Sequence, residues 1–116
     1  MATTEHRHDD AQTADEFHDL VNMTPKQLEH WLDTDESRAV GQKKDGAKES
    51  TGHHMGREII ELLHGKRADL DDEDYDRMRK VTGYIKRHTA QRPDGDVTET
   101  PWRYSLMNWG HDPLRK

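Results

Sequence analysis

The apolar residues of this chain recur three and four positions apart within short segments, a spacing typical of amphipathic helices. In the clearest segment the following side chains fall within one third of a helical circle: Tyr75, Met78, Val81, Thr82 and Ile85. No internal repeat and no pair of alternating strands is visible. We therefore predict an all-α fold, a small compact array of four to five helices.

Capping residues set the predicted bounds of these helices. Thr24 precedes Pro25 and stands three residues before Gln27, which is the pattern of a capping box. Asp71 is predicted to cap the longest helix, over about residues 72–90. Further helices are predicted over residues 14–21 and about 53–64, and a short turn over residues 35–40. A last short helix starts at Thr100-Pro101 and ends at Gly110.

Two stretches lack the helical periodicity. Residues 1–12 are polar and charged, and we predict that they form a disordered arm ahead of a single helical domain, residues 13–116. Residues 42–52 hold no aliphatic side chain larger than Ala47, so an exposed loop is predicted there.

The composition leaves material for only a thin core. Hydrophobic residues make up 29% of the chain and charged residues 36%, whereas an ordinary soluble domain is nearly half apolar. Aromatic residues nevertheless lie inside the helical segments, which favours a folded chain over a disordered one. Trp102 and Trp109, seven positions apart, are expected to fill the core.

Several kinds of site are excluded or disfavoured by what the chain lacks. Without cysteine, it has no disulfide and no cysteine-ligated zinc. The nine histidines are scattered and form no H-E-x-x-H motif, so we expect neither a metal nor another cofactor. The carboxylates of residues 71–76 are explained by helix capping, and we expect no catalytic activity. The sequence shows no signal peptide and no apolar run long enough to span a membrane, so a cytoplasmic location is expected.

Charge is unevenly distributed along the chain. The formal net charge is -6, yet residues 1–40 carry ten acids and three bases, while residues 77–92 carry six bases and no acid. Because electrostatic fields act locally, such a cationic segment attracts an anionic partner even on an acidic protein. Protonation of the nine histidines raises the formal charge from -6 to +3, so we expect affinity for such a partner to rise below a pH of about 6.5.

The cations of residues 77–92, together with one tyrosine, are the candidate binding residues. Lys and Arg side chains on a rigid helix contact phosphates, and a tyrosine stacks on a base. The predicted central contact line is Arg77, Lys80, Tyr84 and Arg87, with Arg79, Lys86 and Arg92 flanking it. We therefore expect a small helical binding protein whose ligand is DNA or RNA.

Two other interpretations of these charges stay open. Acids at the start of a helix and bases at its end are favoured by the helix dipole, so the cations also fit a solvated face without a ligand. Alternatively, the chain is a protein-interaction module in which the acidic residues 1–40 meet a basic partner, or the basic face docks internally. Internal docking predicts that charge reversal at Arg79 and Lys86 destabilises the fold.

Three blocks of sequence resemble a known family. They include MRKVTGYIKRH, AQRP and YSLMNWGHDP, and they resemble the uncharacterised domain-of-unknown-function family 3140 over about residues 16–114. Members of that family are small, mainly bacterial proteins that are often labelled DNA-binding. The resemblance thus implies a nucleic-acid ligand, but it implies no individual site residue.

Overall fold

The computed structural model describes residues 2–40, 51–65 and 69–115, of which residues 2–9 and Thr51 are described by their backbone only. Six helices lie in these residues: α1 (Ala2–Leu20), α2 (Pro25–Leu32), α3 (Asp35–Ala39), α4 (Thr51–His64), α5 (Asp72–Thr89) and α6 (Pro101–Asn108). No strand occurs in the described ranges, so the predicted all-α class is confirmed. Five of the helices have eight residues or more, and α3 is a single short turn of five.

The predicted helix caps are present. The Thr24 side chain accepts from the Gln27 amide at 3.1 Å, and the Gln27 side chain accepts from the Thr24 amide at 3.0 Å. Asp71 and Asp74 form the same reciprocal pair at the start of α5, at 2.9 and 3.1 Å. These bonds satisfy amide groups that have no partner within the helix, and they fix where α2 and α5 begin.

Two helices begin earlier than predicted. The backbone of α1 is helical from Ala2, whereas the sequence predicted a start at residue 14. Helix α4 begins at Thr51, and Gly52 in its first turn packs against Asn108 and Trp109. Residues 42–50 of the predicted loop lie outside the described part of the chain. The division of the chain into an arm of residues 1–12 and a domain of residues 13–116 stays a prediction.

Helix α6 lies at the centre of the packing. It contacts α2, α3, α4 and α5, while α1 packs along α5 and α2 packs along α4. The close approach of α4 depends on Gly56, where an added Cβ would stand 2.7 Å from the Asn108 carbonyl oxygen and 2.7 Å from a Leu32 methyl group. At this crossing only a glycine leaves room for the neighbouring helices.

Every helix of eight residues or more supplies side chains to the core. Phe17 of α1, Ile59 of α4 and Leu106 of α6 are fully buried, and Trp102 and Trp109 are buried as predicted. The other buried apolar residues are Ala14, Val21, Met23, Leu28, Leu32, Met55, Leu62, Met78, Val81, Ile85 and Val97. Because this core includes α1, the N-terminal helix is part of the packed fold.

A buried amide joins three helices at one end of this core. The Asn108 Oδ1 atom accepts from Trp31 Nε1 at 2.7 Å and from Ser37 Oγ at 2.5 Å. Its Nδ2 atom donates to the Ser37 carbonyl oxygen at 3.1 Å. Buried polar groups are costly unless they are hydrogen-bonded, and these bonds tie α2, α3 and α6 together.

Candidate nucleic-acid interface

Helix α5 carries most of the predicted binding residues, and its buried stripe decides where each one lies. Met78, Val81, Thr82 and Ile85 are buried against the rest of the fold. At 100° per residue the cations are therefore distributed over the two flanks of the helix and its outer surface. The structure divides the six predicted residues of α5 among these three places, and Arg92 follows the end of the helix.

Arg79 and Lys86 lie on the flank that faces α1. Arg79 Nη2 donates to Asp10 Oδ1 at 3.0 Å, and Arg79 Nη1 donates to Asp76 Oδ1 at 2.8 Å. Lys86 Nζ lies 2.8 Å from Glu16 Oε2. Two carboxylates of the acidic N-terminal helix thus neutralise two cations of the basic helix, as the internal-docking interpretation predicts.

Arg77 lies on the opposite flank, next to α4. Its Nη1 atom donates to Asp74 Oδ1 at 3.0 Å, and its Nε atom lies 3.6 Å from Glu58 Oε1. Glu73 adds a third, more distant carboxylate at 3.9 Å. Arg77 is therefore surrounded by acids of this chain.

Tyr84 is engaged in the contact between α5 and α6. Its ring is stacked on Trp109, with centroids 4.1 Å apart and an angle of 12° between the planes, and His88 stacks on it at 5.1 Å. Burial raises the pKa of the Tyr84 hydroxyl, and a hydrogen bond with the Ser105 side chain offsets part of the rise. The ring that was predicted to stack on a base already stacks within the fold.

Lys80, Arg87 and Arg92 lie on the outside, and we call these three residues the outer row. All three are exposed, and no carboxylate among the described side chains pairs with them. Arg87 extends over Gly83, with Nη1 3.1 Å from the position of an added Cβ, and Arg92 lies over the Trp102 ring at 5.5 Å. Lys80 and Arg87 are two turns apart, about 10 Å along the helix axis.

The structure also contains a groove that the sequence did not predict. It lies between α2 and α4, has a volume of about 630 Å³, and is lined by side chains of both signs, among them Lys26, Glu29, Asp33 and Arg57. Its lining combines side chains of the neighbouring helices α2 and α3 with side chains of α4, so no single local motif marks it. The mixture of charges favours no single class of ligand.

Across residues 10–40, 52–65 and 69–115, whose side chains the structure describes, no group of three or more His, Asp or Glu side chains is arranged to hold a metal ion. The helices in those ranges include none that is long and apolar enough to cross a membrane.

Comparisons with known proteins place the chain in a family. Searches of curated proteins and of solved structures find no match to it. One family model matches residues 16–107, which run from α1 through most of α6 and include the outer row. The chain therefore belongs to the family described as protein of unknown function (DUF3140).

Proposed function

We propose that this protein is a small helical binding protein, not an enzyme, and that it binds nucleic acid through the outer row. The proposal rests on one observation, that Lys80, Arg87 and Arg92 are exposed cations without a carboxylate partner among the described side chains. The other four predicted contact residues are not part of the proposed interface, because they already have partners in the fold. They are Arg77, Arg79, Lys86 and Tyr84.

The outer row consists of long cationic side chains that contact phosphates. Lys80 and Arg87 project from one rigid helix, and Arg92 follows two residues after the helix cap at Ala90. A protein that makes only three such contacts binds independently of the base sequence, since phosphate contacts carry no sequence information. With a net charge of -6, the protein is expected to bind weakly and only at low salt.

The number of contacts is measurable from the salt dependence of binding. Each neutralised phosphate contributes about -0.9 to the slope of log affinity against log salt on duplex DNA, so three contacts predict about -2.7. All six cations of the predicted face would instead give about -5.4. The slope thus distinguishes the outer row from the complete basic face.

The experiment is a fluorescence-anisotropy titration of a labelled short duplex, and of one of its single strands, at low and moderate salt. The test variant is Lys80→Gln with Arg87→Gln, and its matched control is Lys26→Gln with Arg115→Gln, which removes the same two charges elsewhere. We expect the test variant to lose binding at salt concentrations where the control retains it. Absence of binding by the folded wild-type protein at low salt, or equal losses in the two variants, overturns the proposal.

A second candidate function is favoured by the contact between α1 and α5. Because Asp10 and Glu16 neutralise part of the basic face, that face also contributes to the contact between α1 and α5. The chain would then be a protein-interaction module whose remaining exposed acids, such as Asp19, Glu29 and Glu36, meet a basic partner. Co-purification from native cells, with and without nuclease treatment, separates the two functions, because only a nucleic-acid ligand is lost on digestion.

A further inference from the structure

We propose that a recess between α1 and α5 is a latent phosphate-contact site, which the carboxylates of Asp10, Glu16 and Asp76 keep closed. This inference rests on the proposed function, because it adds a second contact to the outer row. The recess has a volume of about 290 Å³ and is lined by Gln12, Thr13, Glu16 and Arg79. It is large enough for a phosphate group, and the Gln12 amide and the Arg79 guanidinium carry hydrogen-bond donors of the kind that such a group needs.

Two cations at or next to this recess are accessible from solvent although they are paired. Arg79 lines the recess and is 40% exposed, and Lys86, which pairs with the lining residue Glu16, is 57% exposed. Long side chains with solvated ends exchange one anionic partner for another by rotation, without movement of the helix. A backbone phosphate that reaches the recess therefore competes with the carboxylates of Asp10, Asp76 and Glu16 for these two cations.

Helix α1 itself stays in place during this competition. Phe17 and Ala14 are completely buried, and Val21 is nearly so, which anchors α1 on α5. The carboxylates are thus held beside the cations at high effective concentration, since they belong to the same packed unit. In the wild-type protein this internal competition leaves only the outer row for the ligand.

Removal of the three carboxylates opens the site. In the triple variant Asp10→Asn, Glu16→Gln and Asp76→Asn, the number of available cations rises from three to five, so the salt slope on duplex DNA changes from about -2.7 to about -4.5. Between 50 and 200 mM salt, the affinity of the wild type then falls about 40-fold and that of the variant about 500-fold. The single variant Glu16→Gln frees Lys86 alone and is expected to give a slope of about -3.6.

The matched control is Asp19→Asn with Glu29→Gln and Asp94→Asn, which removes two Asp charges and one Glu charge from exposed positions. It changes the net charge equally but leaves Arg79 and Lys86 paired, so its slope is expected to equal that of the wild type. Glu16→Gln removes only a surface ion pair and is expected to retain the fold, which keeps the test decisive if the triple variant is unstable.

The outcomes separate this inference from the proposed function. A steeper slope in the triple variant and in Glu16→Gln, but not in the control, supports the latent site. If the wild type binds with a slope near -2.7 and all variants keep that slope, the recess is not a site and the outer row alone stands. If none of the proteins binds at low salt, the proposed function fails and the latent site fails with it.

Discussion

Arg79 joins Asp10 across 69 positions of sequence, with Nη2 and Oδ1 3.0 Å apart. Asp10 is buried, whereas Arg79 still reaches solvent. The acidic N-terminal helix α1 and the basic helix α5 therefore pack against each other with complementary charges. Only the cations that have no carboxylate partner within the fold are available to a ligand.

The first prediction concerns the ion pairs between α1 and α5. Arg79→Glu places a carboxylate beside the buried Asp10, and we expect the free energy of unfolding to fall by about 1–3 kcal/mol. Lys86→Glu, at a more exposed pair, is expected to cost up to about 1 kcal/mol. Lys80→Glu is the control and should stay within about 0.5 kcal/mol in urea denaturation. Equal effects at Arg79 and Lys80 would contradict internal docking.

The second prediction concerns the buried amide of Asn108. Asn108→Ala leaves Trp31 Nε1 and Ser37 Oγ without their acceptor, and we expect a loss of about 2–3 kcal/mol in unfolding free energy. Ser37→Ala removes one donor but retains the Trp31 bond, so its cost should be smaller. Thermal and urea unfolding of the two variants measure the difference, and a smaller loss at Asn108 than at Ser37 would refute this role.

The third prediction contrasts two helical glycines. Gly56→Ala forces a methyl group into the Asn108 carbonyl and Leu32, and we expect a destabilisation of about 1–3 kcal/mol. At Gly83 the added methyl group meets only the flexible end of Arg87, so better helix propensity should stabilise the protein by up to about 1 kcal/mol. Chemical denaturation of both variants measures the change in the free energy of unfolding, which we expect to have opposite signs at the two positions. A change of the same sign at both positions would contradict the packing described.

The fourth prediction concerns the pH dependence of stability. Burial lowers the pKa of His88, and a hydrogen bond with the backbone of Trp102 offsets only part of this. The unfolded chain therefore binds a proton more readily than the folded one, so stability is lost as pH falls below about 6.5. His88→Phe retains a ring between Tyr84 and Trp102 but does not titrate.

Urea denaturation from about pH 7.5 to about pH 5 tests this difference. Over that range the wild type should lose more unfolding free energy than His88→Phe. A parallel decline in the two proteins would show that His88 does not contribute.

Local signals predicted the helices well, because caps and apolar spacing act within a few residues. Thr24, Asp71 and Thr100 cap the helices they were predicted to cap. The start of α1 was not predictable in this way, since residues 2–12 carry no apolar stripe and Asp10 is held by a tertiary partner, Arg79.

The candidate site was only partly predictable, for the same physical reason. Helical spacing places the cations of α5 away from its buried stripe, but it does not show which flank another helix covers. Glu58 and Glu16 come from other helices, so the partners of Arg77 and Lys86 depend on tertiary packing. Tyr84 looked available for a base because its partner Trp109 lies 25 positions later in the sequence.

The central claim is that an anionic ligand contacts Lys80, Arg87 and Arg92 while α1 stays docked on α5. The most direct measurement is a two-dimensional NMR titration of the ¹⁵N-labelled protein with a short duplex at low salt. The account predicts amide shift changes around positions 80, 83, 87 and 92 and little change around Phe17 in α1. Shift changes confined to other helices, or none at all in a folded sample, would contradict it.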